Sequence, residues 1–438
     1  MKKLVALLLC LAMLGTAMTA LASEGGKTVI NLYAFTREVP DMAVKFLEMN
    51  PDIAEEYEFN PTIISTDSGT SAYEAALDLG LLEGTVDLYV AEAAFILKYA
   101  QGDAAPFAAA YKDLGIDVDA KLVEADIAGY TVEIGTNPSG NLVALGYQAT
   151  GGACIYRRSI AIDTWGTDDP EVIATKIGPG WDQFFAAAGE LKAKGYGIVS
   201  GDGDIWNVIE KASETGWIVD GKLNIDPARE AFLDYSKVLT DNGYSNITQA
   251  WQDAWFADMQ GAGEQPIFAF FGPAWLINYV MANNVGDTFG DWAVCVPPVG
   301  FFWGGSWVLA AETSPHKEML GKFTEWVTLD SSDTGLQYFW ANGTMVEGEV
   351  GTKDTVASGT VMAKSNGEVA LLGGQNMFDV FVPANAFASG KAMTQYDGVI
   401  NNQWQTYVRM YAAGEISRED AITNFKQWVG DNLDVIVE

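Results

Sequence analysis

The sequence predicts an α/β protein of two domains joined by several passages of the chain. Strands alternate with helices over its N-terminal quarter. A chain of 438 residues is long enough for two cores of ordinary size. No internal repeat and no low-complexity linker separates one half from the other. With 49% hydrophobic and 19% charged residues, the chain has the composition of a globular protein.

"KTVINLYAF" is β-rich and reads as the first strand. "TREVPDMAVKFLEMNPD" then spaces Val39, Ala43, Phe46 and Leu47 at helical intervals and stops at Asn50-Pro51. "PTIIST" reads as a second short strand. "SGTSAYEAALDLGLLEG" reads as a helix with Ser71 and Glu74 in capping-box spacing, closed by Gly84. "VDLYVAE" is a third strand and "AAFILKYAQG" a further helix. In largely parallel sheets of this kind, ligands bind beyond the carboxyl ends of the strands. Those ends are Phe35 to Glu38, Thr66 to Ser68, and Ala91 to Glu92.

The middle of the chain is more helical. "DDPEVIATKI" opens with Pro after Asp, and "GPGWDQFFAAAGELKAKGYG" is amphipathic and ends at Gly195. "NIDPAREAFLDYSKVLTDNG" has Asp226 as N-cap, Pro227 in the first turn and Gly243 past the end. "DWAVCVPPVG" is a strand that exits through two prolines. "SPHKEMLGKFTEWVTLD" reads as a helix capped by Ser314, and two more helices end the chain.

Charge narrows the partners. Asp and Glu number 58 against 25 Lys and Arg, a net charge of -33. Such a chain repels nucleic acid and anionic lipid, and it disfavours anionic ligands as a class. The N-terminus reads as a signal peptide over residues 1–22: Lys2 and Lys3, an apolar run from Leu4 to Leu14, and Ala20-Leu21-Ala22 as cleavage site. Cys10 follows three Leu, so a lipid-anchored export signal fits poorly. The mature protein is therefore expected outside the cytoplasm, as a soluble monomer. Cys154 and Cys295 lie in apolar strand-like runs and read as buried thiols, with a disulfide between them as the alternative.

Composition also limits the chemistry. The one histidine, His316, sits at an expected helix start with no nucleophile motif beside it, so a Ser–His–Asp site and a multi-histidine zinc site do not fit. There is no phosphate-binding G-x-x-x-x-G-K-[ST] loop. "SGDGDIWN" carries the D-x-D of a calcium loop at Asp202 and Asp204 but lacks its later Gly and Glu. No metal or other cofactor is expected. A paired-carboxylate glycosidase stays open only because acids are so many. The positive signal is aromatic: 14 Trp, 17 Tyr and 21 Phe, many beside Gly, Asn, Asp or Pro. Trp206, Trp275, Trp303, Trp307 and Trp340 are such cases. A ring covers the C–H face of a sugar while polar side chains take its hydroxyls.

An ordered series of stretches resembles the extracellular solute-binding proteins (family 1) of bacterial ABC carbohydrate importers, the group that includes maltose-binding protein. The series is "VINLYAFTREVPDMAVKFLEMNPD", "VDLYVAEAAFILKYAQG", "YQATGGACIYRRSIA", "IFAFFGPAWLINYVM", "DWAVCVPPVGFFWGGSWVLAAETSPHKE" and "LLGGQN". The likeness extends to the carbohydrate receptors of Gram-positive gut bacteria. It implies a two-lobed, periplasmic-binding-protein-like (type II) α/β fold with hinge strands and a ligand cleft between lobes. It also implies closure on a bound oligosaccharide and docking to an ABC permease, without catalysis. Carried onto this chain, lobe one is 27–147 plus 305–360 and lobe two is 148–300 plus 365–438. "YQATGG" is then the first crossing and "FFWGGSWVLAA" the second.

The residues expected to bind ligand follow from these placements. Arg37, Glu38, Asp67 and Glu92 stand at strand ends of lobe one. Tyr147 and Gln148 stand at the first crossing. Trp206, Phe271 and Trp275 come from lobe two, and Trp303, Ser306 and Trp307 from the second crossing. Gln375 and Asn376 of "GGQN" complete the set. Tyr156, Arg157 and Arg158 are expected to pack and to pair with acids instead. A receptor of the same fold for another neutral or cationic solute remains the alternative.

Overall fold

Val29 to Ala34 alternate between half-buried and buried positions, the pattern of a strand packed on one face. In the computed structural model of the chain, which describes residues 26–66, 69–348 and 351–438, this run is strand β1, Thr28–Ala34. Helix α1, Glu38–Met49, follows and buries Val39, Met42, Ala43 and Phe46. The chain then makes a short helix at Pro51–Glu56, where proline is harmless in the first turn. Strand β2 is Tyr57–Ile63, earlier than "PTIIST" suggested. Its Pro61 is tolerated because β2 lies at the sheet edge.

Helix α2, Ser71–Glu83, ends on Gly84 in the left-handed region, as its sequence indicates. The capping box does not form. Thr70 is the N-cap, and the Glu74 backbone N–H bonds the Thr70 carbonyl, so Ser71 is already inside the helix. Strand β3 is Leu88–Glu92 and strand β4 is Leu145–Gly146.

Strand β5, Ala153–Arg157, opens a second sheet. Helix α3 is Gly180–Ala193, strand β6 is Gly197–Val199, and helix α4 is Asp202–Ala212. Helix α5, Pro227–Asp241, has the Asp226 side chain accepting from the Ala228 N–H at 2.9 Å. Strands β7, Ile267–Gly272, and β8, Trp292–Cys295, are fully buried. Strand β9, Ser306–Ala310, returns to the first sheet. Helix α6, Lys317–Thr328, takes His316 as N-cap; Ser314 is not the cap but donates to Asp87 at 2.7 Å. Helices α7, Asp397–Ala412, and α8, Arg418–Asn432, end the fold.

The first sheet has the order β2-β1-β3-β9-β4 and the second the order β8-β5-β7-β6. In the first, β1 is parallel to β2 and β3, whereas β9 is antiparallel to β3 and β4. In the second, β5 is antiparallel to β8 and β7, and β6 is parallel to β7. Each sheet therefore holds one reversed strand, and in each it is the strand entered directly from the other sheet. Residues 147–152 lead from β4 to β5, and residues 296–305 lead from β8 to β9.

Each sheet buries its own apolar residues. Ile30, Leu32, Leu88, Val90, Val308 and Phe323 belong to one core. Alternation splits the second sheet between two more. Cys154, Tyr156 and Phe271 face the helices of α3 to α5, while Ile155, Phe270 and Trp292 face residues such as Val356, Val361 and Phe381. Cys154 and Cys295 are register partners, both buried and both free thiols. Arg157 pairs with Asp291 at 2.7 Å and Arg158 with Asp168 at 2.9 Å, as expected of the "YRR" run. Among the described residues, no helix is long and apolar enough to cross a membrane. The leader segment and Asp67 lie outside the described residues.

Candidate functional site

The ends of several strands of the first sheet converge on one edge. Phe35, Thr36 and Glu38 follow β1, Thr66 follows β2, Glu92 ends β3, and Gln148 follows β4. Because β9 runs the other way, its beginning lies at the same edge and brings Gly304, Gly305 and Ser306 there. Facing them, the second sheet supplies Trp275 and Tyr279 just past β7, and Trp251 from the loop after α5. Together these residues and Thr70 line a cavity of about 290 Å³, joined on its wall by Trp303.

Three indoles form one wall. Trp251 stacks on Trp275 with planes 13° apart and centroids 6.2 Å apart. Trp303 meets Trp275 edge-on at 4.8 Å and Trp251 at 6.3 Å. The Trp275 indole N–H donates to the Trp303 carbonyl at 3.1 Å, which fixes the pair. Trp251 sits at φ 69, unusual for a bulky residue, and is 40% exposed. Backbone strain at that position holds a large apolar ring where the cavity can reach it.

Gly304 and Gly305 make the wall geometrically possible. Both have positive φ, 72 and 112. A Cβ on Gly304 would lie 3.2 Å from the Trp275 indole nitrogen, and one on Gly305 3.1 Å from the Trp307 ring. Their carbonyls are held from two sides: Thr150 Oγ1 donates to Gly304 at 2.9 Å, and the Ala93 N–H donates to Gly305 at 3.1 Å.

The opposite wall is acidic. Glu38 accepts a short hydrogen bond from the Tyr147 hydroxyl, and burial raises its carboxyl above the usual range. Glu92 accepts from the Ala94 N–H at 2.8 Å and is likewise raised by burial. Behind them, Asp354 is buried and pushed up to about 7 by desolvation, while Gln148 Nε2 donates to it at 2.9 Å. Among the described residues, no Lys, Arg or His lines the cavity.

The structure distributes the expected ligand residues unevenly. Glu38, Glu92, Gln148, Trp275, Trp303 and Ser306 line the cavity. Tyr147 stands behind Glu38 as its hydrogen-bond donor. Arg37 points outward, with a side chain 74% exposed and paired with Asp41 at 2.9 Å. Trp206, Phe271 and Trp307 are packed in cores instead: Trp206 against Phe232, Phe271 against Phe184, and Trp307 donating to the Thr131 carbonyl at 3.2 Å. Gln375 clamps β8 by bonding both the N–H and the carbonyl of Val294, and Asn376 bonds Gly367 and Asp379 within its own loop. Asp202 and Asp204 open α4, where Asp202 pairs with Arg409 at 3.1 Å and Asp204 accepts from Trp255. Sequence reasoning missed Trp251 and Tyr279. The signal for Trp251 was present in "TQAWQDAW", a ring between polar residues before a helix.

Known proteins share this architecture. The family model for bacterial extracellular solute-binding proteins matches residues 42–336. A solved extracellular solute-binding protein of family 1 superposes with TM-score 0.73 at 19% identity, covering 92% of this chain and 99% of that one. The galacto-N-biose/lacto-N-biose I-binding protein of the ABC transporter from Bifidobacterium longum, in complex with lacto-N-biose, gives TM-score 0.67 at 17% identity, with 95% and 100% coverage. The binding protein associated with an ABC transporter of B. animalis subsp. lactis, in complex with β-1,6-galactobiose, gives 0.62 at 18% identity, with 92% and 97% coverage. No curated protein sequence matches the chain. Each sheet has its own core, and the cavity between the sheets collects strand ends from one and tryptophans from the other. With the family model spanning most of its length, the chain belongs to the bacterial extracellular solute-binding protein family.

Proposed function

We propose that this protein is the extracytoplasmic receptor of an ABC importer and captures a carbohydrate without transforming it. The observation that carries the reading is one cavity in which tryptophans from one sheet face hydrogen-bonding side chains from the other. Indole faces cover the C–H face of a pyranose, and Glu38, Glu92, Gln148, Thr36 and Ser306 are the groups for its hydroxyls. A volume of about 290 Å³ suits a mono- or disaccharide unit. Solved relatives in complex with lacto-N-biose and β-1,6-galactobiose support a sugar of that size.

In this reading lobe one is 27–147 plus 305–360 and lobe two is 148–300 plus 365–438, with residues 147–152 and 296–305 as two of the crossings. Ligand touches both lobes, so it favours the closed arrangement by its differential contacts. The closed receptor is then presented to a membrane permease. The leader is removed after Ala22. Calorimetry of the purified chain against a panel of neutral mono- and disaccharides, with tryptophan fluorescence as second readout, tests the function. Heat of binding with a fluorescence change is expected for at least one sugar. No response across the panel would overturn it.

A further inference from the structure

The charges around the cavity are one-sided, and this bears on what kind of sugar fits. Glu38 and Glu92 line it, and no basic side chain does among the described residues. Arg37, next to Glu38 in sequence, turns away to Asp41. Lys211, the cation nearest Glu92 in electrostatic effect, is held by Glu210 at 2.7 Å. Behind Glu38 stands Asp354, which accepts from Gln148 Nε2 at 2.9 Å and from the Thr355 N–H at 2.7 Å and, among the described residues, forms no ion pair. Glu38 accepts a hydrogen bond from Tyr147. Glu38 and Glu92 are half-buried, and the charge of Lys211 that acts on Glu92 is shared with Glu210 and Asp397, so negative charge at the cavity exceeds the positive charge near it and a cation entering it is favoured. The facing wall of Trp251, Trp275 and Trp303 offers π faces, which attract a cation as well as C–H groups.

Resting on the carbohydrate reading above, we propose that the ligand is an amino sugar bearing a free, protonated amine, which sits between the Glu38–Glu92 wall and the three indoles. The ammonium supplies the missing counter-charge through charge-assisted hydrogen bonds to the free lone pairs of Glu38 and Glu92. Its ring lies on the tryptophans. A uronic acid or sugar phosphate would place a further negative charge beside two half-buried carboxylates and is rejected.

The test uses the purified chain at neutral pH and matched sugars of gluco and galacto configuration. For each, the free-amine form, the N-acetylated form, the parent neutral sugar and the uronate are titrated by calorimetry. The free-amine form is expected to bind about tenfold tighter than its N-acetylated and parent forms. The uronates give no heat. Glu38→Gln and, separately, Glu92→Gln should each weaken the free-amine form more than its N-acetylated and parent forms, so that the preference for the amine shrinks. Equal or tighter binding of the N-acetylated or parent forms, or binding of a uronate, overturns this inference and leaves the carbohydrate reading standing. Absence of binding by every sugar overturns both.

Discussion

Gln148 Nε2 donates to Asp354 Oδ2 at 2.9 Å, and the two residues come from separate passages of chain that run side by side where Gln148 bridges to Val356. The bond ties residues after β4 to a segment more than 200 positions later. Burial raises the proton affinity of the Asp354 carboxyl, and the Gln148 bond offsets part of that rise.

Stability should therefore depend on pH in a defined direction. Asp354 is pushed up to about 7 when folded, against an unfolded value of about 3.9. Between those values the folded chain binds more protons than the unfolded one, so stability falls as pH rises. Asp204, also raised to about 7, and Glu38, Glu92 and Asp397 act in the same sense. Thermal melts should give a higher Tm near pH 5 than near pH 8. Asp354→Asn should flatten the curve by about 1–4 kcal/mol. A Tm that rises over this range would contradict the assignment.

The tryptophans should separate into two classes. Trp275→Ala and Trp303→Ala should each weaken sugar binding by about 2–4 kcal/mol. Trp307→Ala should instead lower stability by about 3–5 kcal/mol, because the ring is buried and its N–H bonded. Paired denaturation and binding measurements on the three variants check the division.

Trp251 reports on the cavity. It is the most exposed indole of the wall and stacks on Trp275. Trp251→Phe should remove most of the ligand-induced fluorescence change while retaining binding within about tenfold. An unchanged fluorescence response would place the reporting ring elsewhere.

Gly305→Ala should cost about 1–3 kcal/mol in denaturant unfolding, since φ 112 is outside the range of L-residues and the new methyl meets Trp307. Sugar affinity should fall with it, because the Gly305 carbonyl accepts from Ala93, next to Glu92.

Neither Cys154 nor Cys295 should react with a thiol reagent in the native state, since both are buried. Unfolding without reductant should expose both. A loss of both thiols under those conditions would mean that the facing pair is oxidised.

Much of the fold was legible because local signals and tertiary needs agree. Asp226-Pro227 and Gly243 bracket α5 as their chemistry requires, and "VDLYVAE" reads as a strand and forms β3 inside the first sheet. Ser71 failed as a cap because Thr70, one residue earlier, already has its carbonyl in the helix. Where a strand end fixes direction, the sequence placed residues that do line the cavity: Glu38 and Glu92 follow from the first sheet, and Ser306 follows from the second crossing. For tryptophans, sequence gives the ring but not the side of the strand. Trp303 precedes the glycine pair and stays on the wall; Trp307 lies inside β9, where the pleat sends it to the core. Gln375 reads as a ligand residue by its glycine neighbours, yet its amide is the right length to serve as an extra partner for β8.

The position of β9 has a consequence for the order in which the protein can form. That strand separates β3 from β4, with Trp307 set between Ala91 and Gly146. A ribosome delivers β1 through β4 well before Ala310, and during that interval the first sheet lacks an inner member. Nascent chain stopped at residue 300 should therefore be protease-sensitive throughout, and extension past residue 311 should bring protection to the N-terminal part all at once. Such late completion leaves the first sheet open for as long as the chain is being made.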